Sequence, residues 1–223
     1  GTFHFLTPSL NTRLIVPDNV TIDFTNMSLY HDTSDSELVL SGRVTLLNRG
    51  TPYALIQNIP IVVQSGGTLI VPKNYSISEE NQLDLSSGSS ITIEPGGHAE
   101  LYSGTYSYIY ADTDSEIHIS GCSNPVLVMK DDSRAVLTGG SYRSLYLEGI
   151  CDVKISGGSY GRIEIYETDL QSALVRPKVT YADFSALLTN GSGFQKSDGS
   201  WLSKNDVTSS PEYMNRKSKY IED

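Results

Sequence analysis

Three observations predict an all-β fold built as a solenoid of parallel strands. From Ala99 to Asp169 one phrase is written four times: AELYSGTYSYIYADTDS, EIHISGCSNPVLVMKDDS, RAVLTGGSYRSLYLEGIC and DVKISGGSYGRIEIYETD. Its first glycines, Gly104, Gly121, Gly139 and Gly157, recur at steps of 17, 18 and 18 residues, and a fixed short period marks a stacked coil. Apolar and polar residues alternate with period two inside each phrase, the pattern of a half-buried strand. Strand-like runs in the first half end on Pro followed by Asn or Gly, residues that suit corners rather than strand interiors.

Taken in order, Thr2-Phe3-His4-Phe5-Leu6 reads as a starting strand. Leu14-Ile15-Val16-Pro17-Asp18-Asn19-Val20-Thr21-Ile22 returns as Leu69-Ile70-Val71-Pro72-Lys73-Asn74-Tyr75-Ser76-Ile77, a shift of 55 residues, with Thr92-Ile93-Glu94-Pro95 as a fainter third copy. The shift reads as two large coils, one with an insertion. Glu37-Leu38-Val39-Leu40 and Ile61-Val62-Val63 supply strands between. Coils of about 23 residues should therefore narrow to about 18 further on, and the body should taper.

In the four-fold stretch, Ala135 and Leu137 match Val153 and Ile155, and also Ile117 and Ile119; these point inward on one wall. Leu145 and Leu147 match Ile163 and Ile165, and also Leu127 and Met129, on another. Arg143, Lys154 and Glu164 then face water. Stacked in phase, such strands form parallel ladders about 4.8 Å apart. Ser103, Ser120, Thr138 and Ser156 should make a hydroxyl ladder. Tyr106, Tyr142 and Tyr160 fall in one phase, broken by Asn124, and should pack with their hydroxyls at the rim.

After Asp169 the repeat stops. Tyr181 to Gly191 has helical spacing, with Phe184, Leu187 and Leu188 on one face and Asn190-Gly191 as a stop. Phe194 to Trp201 reads as a hairpin around Ser197-Asp198-Gly199. An open solenoid end exposes unpaired ladder groups, so helix and hairpin together are expected to cap it. The expected organisation is a solenoid over 1–179, a cap over 180–202 and a polar tail or linker over 203–223.

Composition narrows the functional classes. Asp and Glu number 26 against 16 Lys and Arg, a net charge of −10. Phosphate-binding proteins cluster positive charge, so neither a nucleic acid nor an anionic membrane is the expected partner. No apolar run reaches the length of a membrane span, and the first residues do not read as a signal peptide. Cys122 and Cys151 fall at different places in adjacent coils, too far apart for the geometry of a disulfide, so two free thiols are expected.

The whole chain resembles the right-handed parallel β-helix class, also called pectin-lyase-like. Its ending, Asp183 through Leu187-Leu188-Thr189-Asn190-Gly191 to Phe194 and then Asp198-Gly199-Ser200-Trp201, resembles secreted surface proteins of gut Firmicutes, in which solenoid repeats precede such a segment. Ser192-Gly193 replaces the usual Tyr-Ala. The resemblance implies an extracellular or cell-surface setting on a Gram-positive cell and carries no catalytic residue with it.

Enzymes on β-helices use carboxylates around calcium with a basic residue, or Asp groups as general acid and base. Arg162-Ile163-Glu164 resembles the Arg-Ile-Lys element of polygalacturonases, with Glu in place of Lys, and the His-bearing motif of that family is absent. Acidic turns at Asp112, Asp114, Asp131 and Asp132 are the candidate metal ligands, with calcium the cation they suit. Asp131 shares a phase with Thr113 and Glu167, interrupted by Gly149. His31, His98 and His118 lack ligand spacing, and His118 should face outward between Ile117 and Ile119. The four sequons at Asn19, Asn26, Asn74 and Asn190 are about what chance provides in so polar a chain.

Aromatics make the stronger binding case. Tyr102, Tyr108, Tyr110, Tyr146 and Tyr166 cannot all be inward, and exposed Tyr beside carboxylates can stack on sugar rings while accepting hydroxyl hydrogen bonds. Tyr108, Tyr146 and Tyr166, with Asp131 and Glu148, form the candidate glycan-facing strip. The sequence thus favours a non-catalytic surface module, a stalk or adhesion element taking a glycan or a host or cell-surface ligand, needing no cofactor. The rival is a polysaccharide lyase or glycoside hydrolase acting on acidic polysaccharide.

Overall fold

Each coil of the chain lays one short strand on each of several walls, and successive coils repeat the placement. A computed structural model describes residues 2–4, 13–24, 28–30, 36–48, 53–73, 82–166, 168–170, 173–175, 178–181, 194–195 and 201–202. The described secondary structure is all β. The long walls are parallel throughout, as expected of a β-solenoid, where the coil itself supplies the crossover that parallel pairing requires.

One wall stacks the strands Arg13–Val16, Glu37–Leu40, Ile61–Val63, the last part of Gln82–Ile93, then Thr105–Ala111, Val126–Met129, Ser144–Glu148 and Ile163–Tyr166. We call it the tyrosine wall, for the side chains described below. Its inward ladder runs Leu14, Leu38, Ile61, Ile91, Ile109, Leu127, Leu145, Ile163. A second wall, here the histidine wall, stacks Val20–Asp23, Arg43–Leu47, Thr68–Val71, His98–Leu101, Glu116–Ile119, Arg134–Leu137, Asp152–Ile155 and Lys178–Tyr181. Its inward ladder includes Val44, Leu69, Ala99, Ile117, Ala135 and Val153, all buried. The inward residues named from the alternation, Ile117, Ile119, Leu127, Met129, Ala135, Leu137, Leu145, Leu147, Val153, Ile155 and Ile163, are all in the core. Each fully buried side chain of this size contributes about 1.5–3 kcal/mol.

The corners between the two walls are tight turns whose backbone demands explain their residues. Pro95-Gly96 and Thr113-Asp114 place a positive φ on the third turn residue, +76° at Gly96 and 56° at Asp114. The next two turns move it forward by one, to Asp131 and Gly149. Gly, Asp and Asn tolerate this region where other side chains clash. Just inside these turns lie Gly67, Gly97, Ser115, Ser133 and Cys151, one above another through backbone bonds between coils.

Three expectations are corrected by the register. Leu69–Val71 lies on the histidine wall above Val44 and Thr45, which in turn lie above Val20 and Thr21, whereas Leu14–Val16 lies on the tyrosine wall. The two copies related by 55 residues therefore occupy different walls and are not equivalent coils. Their similarity reflects a shared strand-then-corner grammar rather than shared position. At the far corner, Thr105, Ser123, Ser141 and Ser159 pair in sequence, which places Gly104 beside Cys122, Gly140 and Gly158 rather than beside Gly121. The hydroxyl ladder accordingly starts from Ser120, with Tyr102 in the place assigned to Ser103; Ser103 instead donates to the Pro72 carbonyl at 2.7 Å.

The third correction concerns the corner tyrosines. Tyr106, Tyr142 and Tyr160 are buried, and their hydroxyls do not reach the rim. Each donates to the carbonyl three residues earlier, of Ser103 at 2.6 Å, Gly139 at 3.1 Å and Gly157 at 3.0 Å. The rings of Tyr142 and Tyr160 stack with centroids 4.6 Å apart. Where Asn124 breaks the column, its side chain is exposed on a positive φ, and the buried Cys122 sits at that level, its thiol against the Tyr142 hydroxyl.

At the C-terminal end, Tyr181, expected to open a helix, is the last residue of a strand that pairs with Asp152–Ile155. The remainder of that segment, 182–191, lies outside the described residues, as do His31 and the tail. The expected hairpin is present: Phe194 pairs with Leu202 and Gln195 with Trp201, and Phe194 continues the tyrosine wall beside Ile163.

Candidate functional site

The outward side chains of the tyrosine wall follow from period-two alternation. Ile109 and Ala111 turn in, so Tyr108 and Tyr110 turn out; Leu145 and Leu147 turn in, so Tyr146 turns out. Parallel register then fixes two outward ladders. One runs Ser90, Tyr108, Val126, Ser144; the other runs Thr92, Tyr110, Val128, Tyr146 and on to Glu164. Tyr110 and Tyr146 are two coils apart, about 9.6 Å at the strand spacing.

Tyr108 is the most open of these rings at 39% exposure. It lies parallel to Tyr110 with centroids 5.9 Å apart and planes 4° from parallel. Arg143 enters from the corner two coils on. Its guanidinium carbon is 5.6 Å from the Tyr108 ring centroid, and its Nη2 donates to the Tyr108 hydroxyl at 3.3 Å. Arg162 takes the same posture over Tyr146 at 5.8 Å. Such cation–π contacts hold the rings in fixed orientations and contribute about 0.5–1 kcal/mol each at exposed sites. Burial raises the Tyr110 hydroxyl above its ordinary value, with a smaller contribution from Tyr108.

Of the five strip residues named from the sequence, Tyr108 and Tyr146 share this face. Glu148 ends the Tyr146 strand and is half-buried, and Tyr166 stands opposite it in the backbone register; the Tyr166 side chain lies outside the description. Asp131 is on the turn beyond Met129, several residues along the strand direction from Tyr108. At about 3.3 Å per residue, the carboxylate end of the wall is more than 10 Å from the Tyr108–Arg143 end. The strip is therefore divided into an aromatic and cationic half and an acidic half. Arg143, Arg162 and Tyr110 were missed as members. The signal was the recurrence of Arg beside the corner of successive coils, against Gly161 and Ser144.

The acidic turns are close to one another without converging. Thr113 bridges two of them: its amide donates to Asp112 at 2.9 Å and its hydroxyl to Asp131 Oδ2 at 3.2 Å. Asp114 and Asp132 are exposed on their own turns. Among the described residues, no three His, Cys, Asp or Glu side chains come together in a way that could hold a metal ion.

A second titratable cluster lies on the histidine wall. His98 and Glu100 on one strand stand opposite Glu116 and His118 on the next, a two-by-two checkerboard. His98 Nε2 is 3.6 Å from Glu100 and its Nδ1 is 3.5 Å from Glu116. Tyr102 donates to Glu100 at 3.1 Å and meets the His118 ring edge-on at 5.4 Å. Desolvation first, then the Glu100 hydrogen bond and charge, raise the Tyr102 hydroxyl above its ordinary value. His118 faces outward, as the alternation implies.

Both cysteines are buried and unpaired with each other. Burial pushes the Cys122 thiol up from 9.0 to about 12, and Cys151 likewise to about 12. Thiols so placed are poor nucleophiles, because the thiolate is the reactive form. No family model, curated protein or solved structure matches the chain.

Proposed function

We propose that this chain is a non-catalytic extracellular or cell-surface module, a right-handed solenoid of the pectin-lyase-like class with a stalk or adhesion role, which binds glycan on the tyrosine wall. The observation that carries the reading is the set of outward rings Tyr108, Tyr110 and Tyr146 on one flat wall, oriented by Arg143 and Arg162. Aromatic rings held flat against a rigid sheet offer apolar faces to sugar C–H groups, and neighbouring polar groups take the hydroxyls. A glycan array followed by calorimetry tests it. Binding should occur, and Tyr108→Ala and Tyr146→Ala should each weaken it, while Tyr102→Ala on the histidine wall leaves it unchanged. An array without binding, or binding indifferent to Tyr146→Ala, would remove the reading.

A lyase or hydrolase acting on acidic polysaccharide is the second reading, supported by the His98, Glu100 and Glu116 cluster. A histidine between two carboxylates is the kind of group that moves protons near neutral pH. Incubation with uronic-acid polysaccharides, followed for new unsaturated products and new reducing ends, separates the two readings.

A further inference from the structure

We infer that the ligand of the tyrosine wall is an anionic glycan, one carrying carboxylate or sulfate groups, and that Arg143 is the residue that takes the anion. The inference rests on the glycan reading above and specifies its chemistry. The chain carries 26 acidic residues and a net charge of −10, so an arginine has many potential partners within it. Arg143 nevertheless is exposed and lies over Tyr108, using one Nη2 hydrogen bond to the phenol. A guanidinium has five N–H donors in a planar fork, and a carboxylate or sulfate accepts two of them side by side. With one donor spent on Tyr108, the fork keeps donors for an incoming anion, and stacking on the ring fixes its plane. Arginine is suited to this role because it is weakly hydrated and stacks without losing its donors.

The neighbouring positions strengthen the case. Arg162, over Tyr146, sits on the adjacent coil, about 4.8 Å away across the sheet and one residue further along. Two cations thus flank three rings, Tyr108, Tyr110 and Tyr146, on one end of the wall. Carboxylates Asp112, Asp131 and Glu148 belong to the other end, beyond the inward Ala111, Met129 and Leu147. Glu164 follows Tyr146 in the outward ladder and bounds the patch. An anionic sugar laid across the coils would place its rings on Tyr110 and Tyr146 and its charge on Arg143. A neutral sugar would leave the cation unused.

The experiment compares matched polymers by calorimetry at low salt: dextran against dextran sulfate, and cellulose oligosaccharides against their carboxymethylated forms. The anionic member of a pair should bind about tenfold more tightly, as one charge-assisted hydrogen bond supplies. Arg143→Gln should erase that advantage while leaving the neutral member and the thermal melting curve unchanged. Tyr146→Ala should weaken both. Equal affinity for neutral and charged members overturns the inference and spares the glycan reading; absence of binding to either overturns both. An anion preference that survives Arg143→Gln but is lost in Arg134→Gln, on the histidine wall, overturns the assignment of the site.

Discussion

Replacing Tyr142 tests how the corner column holds the coils together. Tyr142 is buried, stacks on Tyr160 at 4.6 Å and donates to the Gly139 carbonyl at 3.1 Å. Tyr142→Phe keeps the ring and removes the donor, leaving a part-buried carbonyl short of a partner, at a cost of about 1 kcal/mol. Tyr142→Ala removes the ring as well. Truncating a large aromatic in a core costs about 3–5 kcal/mol, and the lost stack adds about 1 kcal/mol. A solenoid coil is held only by its neighbours, so the deletion weakens both of its interfaces. With a urea slope of about 2 kcal/mol per molar, the midpoint should fall by about 0.5 M for Tyr142→Phe and about 2 M for Tyr142→Ala, followed by circular dichroism. Tyr108→Ala, on the open wall, should stay within about 0.3 M of the parent. If Tyr142→Ala moved the midpoint no further than Tyr108→Ala, the column would not be a structural element and the reasoning would be refuted.

Other expectations concern the thiols, the corner glycine and calcium. Cys122 and Cys151 have folded values near 12 against 9.0, so their protonated form is favoured in the fold. Below about pH 9 this contributes in full; as pH rises from 9 towards 12 the unfolded chain loses protons that the folded one keeps. Stability should therefore fall by about 1 kcal/mol per pH unit per thiol across that window, and Cys122→Ala should flatten the slope in pH-dependent urea melts. The same burial predicts that neither thiol reacts with an aromatic disulfide reagent until urea is added, which absorbance readily checks. Gly140 has φ of +101°, and a Cβ there would lie 2.9 Å from the Cys122 carbonyl oxygen, so Gly140→Ala should cost about 1–3 kcal/mol and lower the melting temperature by several degrees in calorimetry. Calcium at millimolar concentration should leave the melting temperature unchanged, because the described carboxylates do not converge; a rise of several degrees would place ligands elsewhere in the chain.

The four-fold stretch was legible because its determinants are local and repeated. Alternation in Ile117–Ile119, Ala135–Leu137 and Val153–Ile155 states which side chains are inward, and equal spacing states which ones stack. The offset at Gly104 was not legible, since counting from the first glycine aligns Gly104 with Gly121, while pairing of Thr105 with Ser123 aligns it with Cys122. A single residue more or less at a corner is absorbed by the turn, and only the ladder reveals where. For the same reason the two copies starting at Leu14 and Leu69 looked equivalent: both obey the rule of strand followed by Pro corner, and a sequence does not name the wall a strand occupies.

Half of the aromatic site could likewise be found by parity. Tyr108 and Tyr146 had to face outward once their neighbours faced inward. Arg143 could not be found that way, because it sits at a corner, where alternation no longer dictates direction. Its placement over Tyr108, 35 residues earlier, depends on two coils being stacked. The division of charges along the wall has the same origin, since it follows from how far each residue lies along its strand.

The sequence by itself determined the all-β solenoid, the inward and outward faces of its later coils, the C-terminal hairpin and the free state of both cysteines. These depend on hydrophobic period, turn chemistry and spacing, which are properties of neighbours along the chain. Only the tertiary structure decided the register of the corners, the buried tyrosine column with Cys122 beside its gap, and the Arg143–Tyr108 contact. Each of these arises between coils, where hydrogen bonds of the ladder bring together residues that no local pattern connects.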